Sequence, residues 1–147
     1  MNTSVSRPFR ILIADDDSDD IQLTKDCFIE NRLPVHVNEV GDGQILIDHL
    51  KKMSDRSNSR DLPQLIILDI NMPRKNGLEV LQELKQDDML RKIPVVIFST
   101  SGAAKDVERA YDLGASCFLT KPNSLEEWCD KMDKLGRFWV ECVRVIS

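Results

Sequence analysis

The 147-residue chain lacks several features that would direct its reading elsewhere. Neither G-x-G-x-x-G nor G-x-x-x-x-G-K-[ST] occurs, so no glycine-rich loop is available to cradle a nucleotide phosphate. The short Gly41-Asp42-Gly43 stretch only marks the entry to a helix. The four cysteines (Cys27, Cys117, Cys129, Cys142) include no C-x-x-C pair, and neither His36 nor His49 lies near one in sequence, which argues against a zinc site. A chain of this length builds its own core without a disulfide framework, so the cysteines are read as small buried apolar side chains. The N-terminal MNTSVSRPFR has no apolar segment of the secretory kind, and IPVVIFSTSGAA (93–104) is too short and too polar at its end to span a bilayer. The expected location is the cytoplasm, with no membrane contact. The net charge is −5 and no basic arm is present, so nucleic acid is not an expected partner.

What is there is a regular alternation. Five apolar runs, 9–14, 35–40, 64–69, 94–99 and 116–120, carry strand character. Three of them are rich in Ile, Val and Leu with almost no alternation, as strands buried on both faces are. Helical spacing fills the intervals 18–31, 42–53, 77–88, 103–113 and 124–135. Five β-α units predict an α/β fold, a five-stranded parallel doubly wound sheet with helices on both faces and right-handed crossovers. Residues 54–61, SDRSNSRD, read as a solvated polar loop.

In such folds the ligand site lies outside the carboxyl ends of the strands. Asp15 with Asp16, Asp69 and Ser99 end the first, third and fourth strands, and Lys121 follows the fifth. Five of the six residues 15–20 are Asp. Asp17, Asp19 and Asp20 are read as chemistry of a helix N-terminus, Asp17 or Ser18 being the cap. An EF-hand loop starting at Asp15 fails, because Asp20 stands where glycine is required and a strand precedes it. Asp15, Asp16 and Asp69 converging at one edge would repel one another, and a hard divalent cation such as Mg²⁺ resolves the conflict. With the Lys121 ammonium and the Ser99 hydroxyl the set suits a phosphoryl group, one carboxylate acting as nucleophile to form an acyl phosphate.

Four segments together resemble the response-regulator receiver domain of two-component signalling over residues 9–135: ILIADDDSDD, LIILDINMPRKNG, VVIFSTS and GASCFLTKP. The spacings agree, with 30 residues from Asp69 to Ser99 and 22 from Ser99 to Lys121. The resemblance implies a flavodoxin-like sheet and a single-domain regulator that takes a phosphoryl group from a sensor histidine kinase. It makes Asp69 the phosphoacceptor, with Ser99 and Lys121 as its catalytic partners. Asp15, Asp16, Asp69 and the carbonyl of Asn71 become the Mg²⁺ site, and Ser99 with Phe118 the switch pair. Phe118 has no hydroxyl, so only its packing would report the switch. The family's bond corresponding to Lys121–Pro122 is typically cis. Signalling would run through phosphorylation-controlled protein contact. The only chemistry would be self-phosphorylation and self-dephosphorylation, not a stand-alone enzyme's turnover.

Two features depart from the commonest receiver form. The connection through 54–63 is longer than usual, and LGRFWVECVRVIS continues past the domain. That tail resembles small receiver-only regulators, including partners of phytochrome-type kinases. The expected division is an N-terminal segment 1–8, a receiver domain 9–135 and an extension 136–147. Leu125, Trp128, Met132, Leu135, Trp139, Cys142 and Ile146 follow a heptad seam, with Gly136 marking a potential kink. Two surface tryptophans would form an apolar patch, so a homodimer through 125–146 is expected. The competing reading is a phosphatase of haloacid-dehalogenase type, which also forms an aspartyl phosphate. It needs a second acid two residues after the nucleophile, where Asn71 stands and cannot transfer a proton.

Overall fold

The computed structural model describes residues 7–55 and 59–145. Five strands, β1 (Phe9–Ala14), β2 (Val35–Val40), β3 (Leu65–Leu68), β4 (Val95–Ser99) and β5 (Cys117–Thr120), form one parallel sheet in the order β2-β1-β3-β4-β5. The helices between and after them are α1 (Ser18–Glu30), α2 (Gly43–Ser54), α3 (Gly77–Lys85), α4 (Ala104–Asp112) and α5 (Leu125–Arg137). This is the expected doubly wound architecture. The order reverses about β1 and β3, so the ends of these strands flank a crevice. Part of the polar loop, residues 56–58, lies outside the described residues, as do 1–6 and 146–147.

Strand pleat divides the core. Ile11 and Ile13 point to one face of the sheet, where they meet Cys27 and Phe28 of α1 and Trp128, Met132 and Leu135 of α5. Leu12 and Ala14 point to the other, against Leu46, Ile47 and Leu50 of α2, Val80, Leu81 and Leu84 of α3, and Ala110 of α4. Every residue of β3 and β4 is buried, as expected for central parallel strands. Helix α3 ends at Lys85, sooner than its apolar spacing suggested. The Asp87 carboxylate instead accepts from the backbone N–H groups of Met89 and Leu90 and turns the chain into a short 3₁₀ segment, Leu90–Lys92.

The C-terminal region corrects two expectations. Trp128 and Trp139 are buried within the chain, 6% and 8% exposed, so they do not form a surface patch. The middle of the heptad seam, Trp128, Met132, Leu135 and Trp139, faces inward, while Leu125 and Cys142 toward its ends are exposed: helical spacing alone does not say which surface a seam meets, and α1 supplies one for its middle. Trp128 can turn in because its indole N–H has a buried partner, the Thr24 hydroxyl at 3.0 Å. Gly136 does not break the helix. Helix α5 runs through it to Arg137 and continues as a π-helical turn, Phe138–Cys142. A Cβ at Gly136 would collide with the Leu33 side chain, so the glycine serves a close approach of α5 to the α1–β2 connection. Ile146 of the seam lies outside the described residues.

The cysteine reading is also corrected. Cys27 of α1 and Cys129 of α5 form a disulfide, with Cα atoms 5.0 Å apart across 102 residues of sequence. Two helices packed side by side brought together residues that show no pairing pattern in sequence. Cys117 is half-buried and Cys142 exposed, both as free thiols. Among the described residues no helix is long and apolar enough to cross a membrane.

Candidate phosphoryl-transfer site

The site is assembled where strands end. Asp15 directly follows β1, and its backbone N–H donates to Val40 at the end of β2 (3.0 Å). Asp69 follows β3, its N–H donating to the Ala14 carbonyl (2.9 Å). Two continuous strands therefore deliver two carboxylates side by side. Asp16, one residue beyond Asp15, is exposed. Carboxylate oxygens of Asp15, Asp16 and Asp69 all lie within 4.8 Å of one another. Three hard oxygen donors at that spacing, one of them open to solvent, fit a divalent cation that keeps several waters.

The floor beneath Asp69 is tight. Gly77 opens α3, its N–H donating to the Ile70 carbonyl (2.8 Å), and a Cβ there would collide with the Asp69 carbonyl. The α3 N-terminus is fixed by a reciprocal pair: the Asn76 side chain accepts from Glu79 N–H, and the Glu79 side chain accepts from Asn76 N–H. The neighbouring β3–α3 loop carries Arg74 at a left-handed φ of 63°. Its guanidinium Nε reaches Asp42, the N-cap of α2, at 2.7 Å. Asn71 is exposed in the same loop, beside Asp69.

Lys121 enters from the end of β5. Its backbone N–H donates to the Ser99 carbonyl (2.8 Å), which sets the lysine beside the wholly buried Ser99. The Lys121 side chain is only 3% exposed and its ammonium donates to three carboxylates. The distances are 2.7 Å to Asp15, 2.8 Å to Asp20 and 3.1 Å to Asp69. Among the described residues no peptide bond is cis, so the expected cis Lys121–Pro122 bond is absent and the lysine reaches inward from a trans peptide. Burial works against the charged lysine, but the hydrogen bonds it donates to Asp15 and Asp20 and the negative charges of Asp15 and Asp69 outweigh it and hold the ammonium well above the usual lysine range. Burial pushes the Asp15 carboxyl up to about 6, opposed by its bonds from Lys121 and the Asp17 N–H and assisted by the Asp69 charge.

The structure thus brings together Asp15, Asp16, Asp69, Ser99 and Lys121, and places Asn71 on the adjoining loop. Phe118 lies on β5, half-buried against the α2–α3–α4 core. Two participants were missed in sequence. Asp20, assigned to the helix terminus, is a direct partner of Lys121. Tyr111 of α4 accepts from the Phe118 backbone N–H through its hydroxyl (3.1 Å), so a tyrosine does touch β5, although not from position 118. Helical spacing put Tyr111 on an apolar face and gave no signal for its hydroxyl.

A parallel β2-β1-β3-β4-β5 sheet with an acid pair, a facing aspartate, a buried hydroxyl and a buried lysine at its carboxyl edge defines a phosphoryl-accepting signalling domain. The response regulator receiver domain family model matches residues 11–133, and the chain belongs to that family. Within it, the chain is 33% identical to the response regulator Rcp1 of Synechocystis sp. (strain ATCC 27184 / PCC 6803 / Kazusa) over 143 residues, 97% of each protein. The phosphorylated cyanobacterial phytochrome response regulator RcpA superposes with a TM-score of 0.86 at 31% identity, covering 97% of this chain and 100% of that one. The Mn²⁺-bound form of Rcp1 gives 0.84 at 31% identity, covering 95% and 100%. The chain is a receiver-domain response regulator, and the phosphatase alternative finds no support.

Proposed function

We propose that Asp69 accepts a phosphoryl group from a sensor histidine kinase, with Lys121 and Ser99 as its partners. The observation that carries this reading is the buried Lys121 ammonium, held between the carboxylates that end β1 and β3. An Asp69 oxygen attacks phosphorus, the bond from phosphorus to the donor nitrogen breaks, and the nitrogen leaves with its electron pair. The product is an acyl phosphate. Lys121, already at the nucleophile, pairs with a phosphoryl oxygen, and the Ser99 hydroxyl donates to another. Asp15, Asp16, Asp69 and the Asn71 carbonyl would hold Mg²⁺, which would neutralise charge on the phosphoryl oxygens when bound. The chain itself acts as acceptor and self-hydrolase, not as a turnover enzyme.

The likeness to the phytochrome response regulator RcpA supports a phytochrome-type kinase as donor, which would place the action in the cytoplasm. Residues 9–135 act as the receiver and 136–147 as its extension. A homodimer through 125–146 is retained on different residues from the tryptophans. Leu125 and Phe138 are 64% and 55% exposed, and Phe138 borders a groove of about 520 Å³ with Leu119, Pro122 and Leu135.

The test is labelling by acetyl phosphate with Mg²⁺. Base-labile phosphoryl should appear on the wild type, and Asp69→Asn or a chelator should abolish it. Label that survives either change contradicts the assignment.

A further inference from the structure

Lysine has three ammonium donors, and in this site each meets a different carboxylate. Two belong to the cation-type cluster, Asp15 and Asp69. The third, Asp20, does not. It sits in the first turn of α1, where its backbone N–H is already capped by Asp17 (3.2 Å). A carboxylate serving only the helix terminus gains nothing by leaving water. Asp20 instead turns inward, its side chain 24% exposed, to meet a lysine 101 residues away at 2.8 Å. That contact is shorter than the one to Asp69. The Phe98 ring lies below the same ammonium, 6.0 Å from its centre. Asp20 and Phe98 therefore bound the position of the ammonium from outside the reacting group.

We infer that Asp20 is a positioning residue for phosphoryl transfer, holding the Lys121 ammonium in reach of Asp69 while Asp15 and Asp69 are otherwise engaged. This rests on the proposal that Asp69 is the acceptor and Lys121 its partner. When a cation or a phosphoryl group draws on Asp15 and Asp69, the lysine loses two of its three anchors. Asp20 is the one that stays. Without it a flexible four-carbon side chain must find the phosphoryl oxygen for itself, and the cost falls on the transition state more than on donor binding. Asparagine at this position keeps the oxygen acceptor but loses the charge, so its effect is intermediate.

The experiment is a double-mutant cycle on the full chain. Asp20→Ala and Lys121→Ala are made singly and together, with Asp20→Asn as the conservative variant. Maximal rate and half-saturating donor are measured with acetyl phosphate and Mg²⁺, and binding of beryllofluoride is measured separately as a readout that involves no turnover. Loss of one charge-assisted hydrogen bond predicts about a tenfold fall in maximal rate for Asp20→Ala, with an unchanged half-saturating donor concentration. Beryllofluoride binding should weaken by a similar factor. Asp20→Asn should recover part of both. In the Lys121→Ala background Asp20→Ala should have no further effect. An equal penalty in both backgrounds, or none in either, overturns the inference. Asp69→Asn separates the two levels. If the wild type labels and Asp69→Asn does not, the acceptor proposal stands and only the role of Asp20 is at issue. If the wild type fails to label, both fall.

Discussion

The α1–α5 face of the sheet and helix α4 on the opposite face are built to different standards. On the first face, α1 and α5 are joined by the Cys27–Cys129 disulfide and by the buried hydrogen bond from Trp128 to Thr24. Trp128 also packs edge-on against Phe98 of β4, with ring centres 5.1 Å apart. Both helices have side-chain N-caps, Asp17 and Ser124. On the other face, α4 has nine residues, of which only Ala110 is buried, and its N-cap is Ala103 with no side-chain bond. It is held by the Tyr111 hydroxyl at Phe118 and by the Ser101 hydroxyl donating to Asp106 (3.0 Å). Few buried contacts and an uncapped end mark an element of low local stability. The acidic site therefore sits between a clamped face and a loose helix. The path to α4 is short, since Lys121 immediately follows β5, the strand on which Tyr111 touches Phe118.

The largest effect that would break this contrast is Trp128→Ala. It removes a buried indole and leaves Thr24 without its donor, and should cost about 3–5 kcal/mol of unfolding free energy in urea. A cost below about 1 kcal/mol would mean that the α1–α5 face is not clamped by its core. Reducing the disulfide comes next. A thiol reductant should lower stability by about 2–4 kcal/mol, because the bridge closes a long loop of the unfolded chain. Identical melting curves with and without reductant would show that the bridge contributes nothing. On the loose helix α4, Ala103→Ser supplies the missing cap and should stabilise the protein by about 1 kcal/mol in the same assay.

A smaller effect tests the site between the faces. The Asp15 carboxyl is raised to about 6 in the folded protein, so the folded state binds its proton more tightly than the unfolded chain does. Its contribution is fully present below the unfolded value near 4 and is lost as pH rises through about 6. Without divalent cation, stability should fall across that window. Added Mg²⁺ should offset the fall, because it binds the folded site with the carboxylate ionised. Asp15→Asn should flatten the cation-free profile. A wild-type profile that rises with pH across the window would show that Asp15 is not raised.

The contrast also shows where the sequence was informative. Uninterrupted apolar runs made β3 and β4 legible, and strand ends located Asp15, Asp69 and Ser99 because a parallel sheet presents all its carboxyl ends on one edge. What stayed hidden depends on packing between distant segments. Cys27 and Cys129, Thr24 and Trp128, and Asp20 and Lys121 each lie more than 100 residues apart. Each pair joins α1 to α5 or to the strand end just before it. The heptad seam was correctly spaced but could not declare its partner. A tryptophan facing α1 and one facing a second molecule have the same periodicity. Gly136 was legible as a helix defect and illegible as a close contact, because its reason is the Leu33 side chain.

The central claim, that a change at the carboxylate edge reaches the loose helix α4 and its neighbour β5 but not the clamped α1–α5 pair, is tested most directly by hydrogen–deuterium exchange with and without Mg²⁺ and beryllofluoride. The account predicts that exchange changes over residues 104–120, while residues 18–30 and 125–139 stay as protected as before. Equal changes in α4 and in the α1–α5 pair, or changes confined to α1 and α5, would contradict it.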